Sequence, residues 1–155
     1  MFYLQGRARA LSVALGFVVC LVAAETGPAQ AQTVTVSLSL AKYDSVKHGQ
    51  AGDFVGVSPG VVHVHVGDQV VFVNDDVKAH TVTALPDSSA FPDDPHWTDD
   101  VLRPAGAIGS GAWTTGELKP GASSRPIQVK KAGKYLYGCF YDYSAGMRGE
   151  IIVDP

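Results

Sequence analysis

Gly133-Lys134-Tyr135-Leu136-Tyr137-Gly138-Cys139, then a polar turn to Met147, then Gly149-Glu150-Ile151-Ile152-Val153, is the stretch that decides the fold. Tyr135, Tyr137 and Cys139 fall on alternate positions and so share one face of a strand, and the second run is a further strand. Working upstream, Ser123 to Val129 and Trp113 to Leu118 read as strands, separated by the turn signals Lys131-Ala132-Gly133 and Lys119-Pro120-Gly121. Thr81 to Ala84 and Val70 to Val73 follow the same pattern, the latter closed by Asn74-Asp75-Asp76. Val62, Val64 and Val66 alternate with His63 and His65 before the turn Gly67-Asp68, and Val34, Val36, Leu38 and Leu40 alternate with polar residues. No long stretch has helical period. About eight short strands at turn spacings of roughly 8–12 residues predict an all-β fold, a single Greek-key β-sandwich or barrel.

One segment interrupts this rhythm. Leu85 to Ala112 holds Asp87, Asp93, Asp94, Asp99 and Asp100, with His96 and Trp97 among them. A loop that long inside a compact domain is usually functional or mobile. The aspartates lack EF-hand spacing, so calcium is not the expected ligand.

The 155 residues carry a formal net charge of −3 and are 46% hydrophobic, which fits one packed domain and leaves no basic footprint for nucleic acid. Two cysteines are too few for a disulfide scaffold. Arg7 and Arg9 precede the apolar run Leu11 to Ala24, shorter than the roughly 20 residues of a membrane span, and Ala29-Gln30-Ala31 offers small residues for cleavage. Residues 1–31 are therefore expected to be a secretory signal peptide and 32–155 the domain; Val22-Ala23-Ala24 is a second possible cleavage site. The expected location is periplasmic or secreted, as a monomer with no stable membrane insertion after cleavage. Removal of the leader leaves Cys139 as the only thiol, which in an oxidising compartment calls for metal ligation or inert burial.

His80 begins a strand just after the Asn74-Asp75-Asp76 turn, and Cys139 and Met147 bracket the C-terminal turn. A thiolate, an imidazole and a thioether gathered at one end of a sandwich suit copper.

With these residues in place the chain resembles the cupredoxins, the small blue copper proteins of the plastocyanin and pseudoazurin type. The resemblance rests on Val66-Gly67-Asp68-Gln69-Val70, Phe72-Val73-Asn74, Asp76 and His80-Thr81-Val82. It continues through Gly133-Lys134-Tyr135, Tyr137-Gly138-Cys139, Gly146-Met147-Arg148-Gly149 and Ile151-Ile152-Val153. It implies a copper site with His80, Cys139 and an axial Met147. The family's second His lies three residues after the Cys, and here that residue is Asp142. Three readings stand open. Asp142 ligates copper itself, giving an atypical His-Cys-Asp-Met site; or His96 swings in from the long loop; or copper has been lost and the fold serves as a metal-free interaction module. A carboxylate is a harder ligand and favours Cu(II), lowering the potential. Red-type relatives with a carboxylate ligand and an open coordination position supply a further alternative.

The function implied is electron transfer or copper handling, with a redox partner or copper-receiving protein, rather than an enzymatic activity. Tyr141 and Tyr143 flank Asp142 and could supply the aromatic contact that a second His ring gives in relatives. A thiol hydrolase built on Cys139 and His80 lacks an oxyanion motif and an orienting partner. Zinc on His80, Cys139 and Asp142 is chemically reasonable, but copper binds such donors more tightly. His63 and His65 point to one side of a strand, and the valines between them claim the core, so both are expected in solvent. His48 is expected there too.

Overall fold

A computed structural model describes residues 30–43, 54–86 and 89–155. Residues 1–29 of the expected leader, His48 and Asp87 lie outside the described residues.

Among the described residues, eight strands form two four-stranded sheets, the all-β sandwich expected. They are β1 (Thr33–Leu38), β2 (Val57–Ser58), β3 (Val61–His65), β4 (Gln69–Asn74), β5 (Thr83–Ala84), β6 (Ile127–Gln128), β7 (Gly133–Gly138) and β8 (Arg148–Asp154). The first sheet runs β2-β1-β4-β6 and the second β3-β8-β7-β5. β1 pairs parallel with β4, and β3 parallel with β8; the other ladders are antiparallel. Inward alternation sets the register. Val36 and Leu38 of β1, with Val70 and Phe72 of β4, face Val62 and Val64 of β3 and Ile151 and Val153 of β8. A one-residue slip in any of these strands would turn its apolar set into water. Phe72, Trp113 and Tyr137 pack against one another in the middle, with centroids 5.5–6.2 Å apart.

The strands read on either side of the second half are shorter than their patterns suggest. Trp113 to Leu118 makes only isolated bridges, Leu118 to His80 and Thr114 to Thr83 and Ala105. The reason is side-chain competition with the ladder. Thr115 Oγ1 takes the Val82 N–H at 2.9 Å, and Gly116 sits at φ +69, a left-handed conformation that ends regular pairing. Ser124 does the same upstream of β6, where its Oγ accepts the Phe72 N–H at 3.0 Å. β2 is an added short strand that the sequence pattern did not mark.

The long segment packs back onto the sandwich. Its described residues include a 3-10 turn, Asp99–Leu102, and lay Phe91 and Trp97 over Leu85, Leu136 and Tyr143. Trp97 Nε1 donates to Ala84 O at 3.1 Å, and Tyr143 Oη donates to Pro92 O at 2.8 Å. β7 is consequently buried on both faces at Leu136 and Tyr137.

Candidate metal centre

His80 is held by the backbone on either side of it. It exchanges both backbone hydrogen bonds with Leu118, at 3.0 and 2.8 Å. Leu118 O and Lys78 O also accept from the Asn74 side-chain amide, each at 2.8 Å, while Asn74 Oδ1 accepts the Asp76 N–H. The Asn74-Asp75-Asp76 turn is thereby closed by its own first side chain, an Asx device. The His80 ring is fully buried. Its Nε2 lies 3.2 Å from Asp76 Oδ2, a close contact too poorly aligned to make a formed hydrogen bond. Asp76 itself accepts from the Leu40 and Val77 N–H groups. Burial would raise its pKa, but His80 and those two N–H groups outweigh burial and hold it below the usual carboxylate value.

Cys139 follows β7 directly and is buried. Its N–H donates to Met147 O at 3.0 Å, and its Sγ accepts the Thr81 N–H at 3.4 Å. Thr81 Oγ1 takes the Phe140 N–H at 2.8 Å, so the residues after His80 and after Cys139 are stitched together. The turn then folds on itself: the N–H groups of Ala145 and Met147 both donate to Asp142 O. Met147 is 1% exposed, and Gly56 makes room for it. A Cβ on Gly56, at φ +74, would lie 2.8 Å from Leu40 Cδ2 and 3.1 Å from Met147 Cγ.

These two halves bring three donors together. His80 Nδ1 lies 3.1 Å from Asp142 Oδ2 and 3.6 Å from Cys139 Sγ, and Cys139 Sγ lies 3.7 Å from Asp142 Oδ2. All three donor atoms fall within 4.8 Å of one another. Bonds of about 2.0–2.3 Å to one ion, opened at angles between tetrahedral and trigonal, put their donors roughly 3.3–4 Å apart. The donor set therefore fits a small metal ion with little rearrangement. Burial pushes the Cys139 thiol up, offset only in part by the N–H groups of Thr81, Asp142 and Tyr141, and the Asp142 carboxylate adds to the rise. Metal ligation requires the thiolate, so loading the site releases that proton.

Of the residues expected from sequence, His80, Cys139 and Asp142 are gathered, and Met147 is tied by its backbone to Cys139 and Asp142. His96 is not in the group. Its side chain is 86% exposed, and its Nδ1 lies 3.4 Å from Asp94 Oδ2. The alternative in which His96 supplies the missing imidazole is corrected on this point: the loop that carries it is anchored through Trp97 and Pro92 instead. His63 and His65 lie on the exposed face of β3, as their valine neighbours required. Three contacts were not visible in the sequence: Asp76 beneath His80, the cover of Trp97 on Tyr143, and a 2.5 Å hydrogen bond from Tyr141 Oη to Glu117. The Asp at 76 was a visible signal, but its direction was not.

Among solved structures the chain is similar to a methionine-to-glutamine mutant of amicyanin with Cu(I), at 20% identity and TM-score 0.47, covering 77% of this chain and 82% of that one. It is also similar to a purple cupredoxin from Nitrosopumilus maritimus, at 17% identity and TM-score 0.46, covering 81% of this chain and all of that one. No curated protein matches. Residues 44–154, most of the domain, match the family of copper binding proteins described as plastocyanin/azurin. The chain belongs to the plastocyanin/azurin family of copper-binding proteins, and copper is the metal its donor set indicates.

Proposed function

We propose that this is an exported mononuclear copper protein that carries electrons or hands on copper, with His80 Nδ1, Cys139 Sγ, Asp142 and Met147 as its ligands. The observation that carries the proposal is the gathering of the first three donors within 4.8 Å at the sheltered end of the sandwich. Bound there, copper supplies a one-electron couple. The chain's own part is to hold that couple in one geometry. The paired backbone of His80 and Leu118 holds the imidazole, Nδ1 faces Asp142, and Asp76 sets a negative charge 3.2 Å from Nε2 on the far side of the ring. The Asp142 carboxylate brings a negative charge where relatives carry a neutral ring, which favours Cu(II) and a lower potential. Burial of His80, Cys139 and Met147 keeps bulk water from all but the Asp142 side.

A partner would approach that same side. Tyr141 is 42% exposed and stands between Cys139 and Asp142 in sequence, and Asp93, Asp94, Trp97, Phe140 and Tyr143 border a recess of about 310 Å³ beside it. Export rests on the leader read from sequence. Cleavage after Ala31 leaves a first residue, Gln32, whose N–H is 2.8 Å from Asp68 Oδ1.

A second reading, with a coordination position open to a small exogenous ligand, is favoured by exposure: the Asp142 side chain is 19% exposed against 0% for His80. Azide added to the copper-loaded protein alters its spectrum if that position is open, and leaves it unchanged if Met147 and Asp142 close it. The main proposal is tested by titrating metal-free protein with Cu(II). An intense thiolate-to-copper band that saturates at one equivalent and is absent from Cys139→Ser supports it; the same absorption in both proteins refutes it.

A further inference from the structure

Away from the buried centre, His63 and His65 take no part in the chemistry above. β3 is an edge strand, and Val62 and Val64, each 2% exposed, turn inward, so both imidazoles stand on the outer face. Same-face neighbours on a strand are two rises apart, about 6.7 Å. Two imidazoles leaning together across that gap can close on one ion through bonds of about 2.0–2.1 Å. β8 runs parallel beside β3 and sets Asp154 in register with His65, roughly 4.8 Å away. Val153 is buried and Asp154 exposed, so the Asp154 carboxylate shares the histidines' face. Lys134, across β8, is occupied by Glu150 at 3.7 Å.

The turn after β3 adds a negative charge. Asp68 Oδ2 lies 3.9 Å from His65 Nδ1. Asp68 is 6% exposed and is itself fixed by the N–H groups of Gln32 and His65, both at 2.8 Å. At that distance no hydrogen bond forms, so Asp68 acts on the His65 ring as a nearby negative charge, which favours a bound cation.

We propose that His63, His65 and Asp154 form a second, surface-facing site for a divalent transition ion that prefers imidazole, Cu(II) or Zn(II). The site has no thiolate. Ion bound there produces no intense visible band and exchanges readily with solvent, unlike ion held beneath the Cys139 turn.

Equilibrium dialysis of the mature chain against micromolar Cu(II), read together with the visible band, tests this. Wild type should bind two equivalents, only one of them coloured. His63→Ala/His65→Ala should bind one fewer with the band intact, and either single substitution should weaken the colourless site at least ~10-fold. Cys139→Ser should lose the band and keep the colourless equivalent. If the buried centre failed to take copper, wild type would bind one colourless ion and the double histidine variant none, which would still support the surface site. Equal uptake by wild type and the double variant would overturn it. Because both side chains are solvent-facing, the double variant should keep the wild-type fold, and its circular dichroism checks that.

Discussion

The two halves of the metal centre are built in different ways. The His80 half is scaffold: a fully buried ring, paired backbone with Leu118, and the Asn74 amide closing the turn beneath it. The Cys139–Met147 half is a turn, and its outer side depends on borrowed contacts. Tyr143 leans on Trp97 and Pro92 of the long segment, Tyr141 on Glu117, and Arg148 lies over the Tyr143 ring at 4.1 Å. The two halves therefore differ in how much variation they tolerate. The His80 ring, buried within the sandwich, cannot be replaced without disturbing the core, whereas residue 142 stands on a turn braced from outside by the long segment.

The sharpest break in this picture is Cys139→Ser, which removes the thiol proposed to join the halves as a copper ligand. The thiolate band should vanish and affinity at the buried site should fall by more than about 100-fold, larger than the loss of an orienting group. On the scaffold side, Asn74→Ala removes three hydrogen bonds and leaves the buried Asp76 N–H without its acceptor, while Leu118 O keeps the His80 N–H. The expected cost is about 3 kcal/mol, read as a fall in Tm of roughly 10 °C. On the turn side, Gly138→Ala puts a methyl group 2.5 Å from Tyr143 Cδ2. That overpacking should cost about 1–3 kcal/mol and should perturb the copper spectrum more than Asn74→Ala does, because the collision moves the turn rather than the sheet.

Two titrations separate the halves further. Asp76 has its pKa lowered in the folded chain, so its contacts stabilise the protein above pH 3.8 and that contribution is lost as pH falls through the lower folded value. In metal-free protein, Asp76→Asn should flatten the acid limb of the Tm–pH curve. Tyr141 is pushed up to about 12, first by the hydrogen bond to Glu117 and then by burial. Its sign is the reverse: the contribution is complete below the ordinary tyrosine value of about 10 and fades as pH approaches 12. Glu117→Gln should bring the phenol back toward its ordinary value, measured by ultraviolet absorbance, with the smallest effect on stability of the set.

Much of this was legible in the sequence, for physical reasons that also mark the limits. Val62, Val64, Val70 and Ile151 announced their strands because one face of each must be buried. Trp113 to Leu118 misled, since Thr115 and Gly116 divert the backbone hydrogen bonds that a pattern of apolar residues cannot reveal. His80, Cys139 and Met147 were readable through the family resemblance. The choice between Asp142 and His96 was not, because it depends on how the long segment folds, and that segment has no period to read. Its anchoring through Trp97 leaves His96 in solvent. Asp76 was among the residues that carry the resemblance, but its contact with His80 was not legible, because no facing rule links residues four apart outside a helix.

One imidazole, one thiolate and one carboxylate are proposed to meet a single copper ion. X-ray absorption at the copper edge tests this most directly, on the His63→Ala/His65→Ala variant loaded with one equivalent so that only the buried site contributes. The expected result is one sulfur at about 2.2–2.3 Å with the outer scattering of a single imidazole and an oxygen completing the near set. Scattering from two imidazoles, or the absence of short sulfur, would contradict the account.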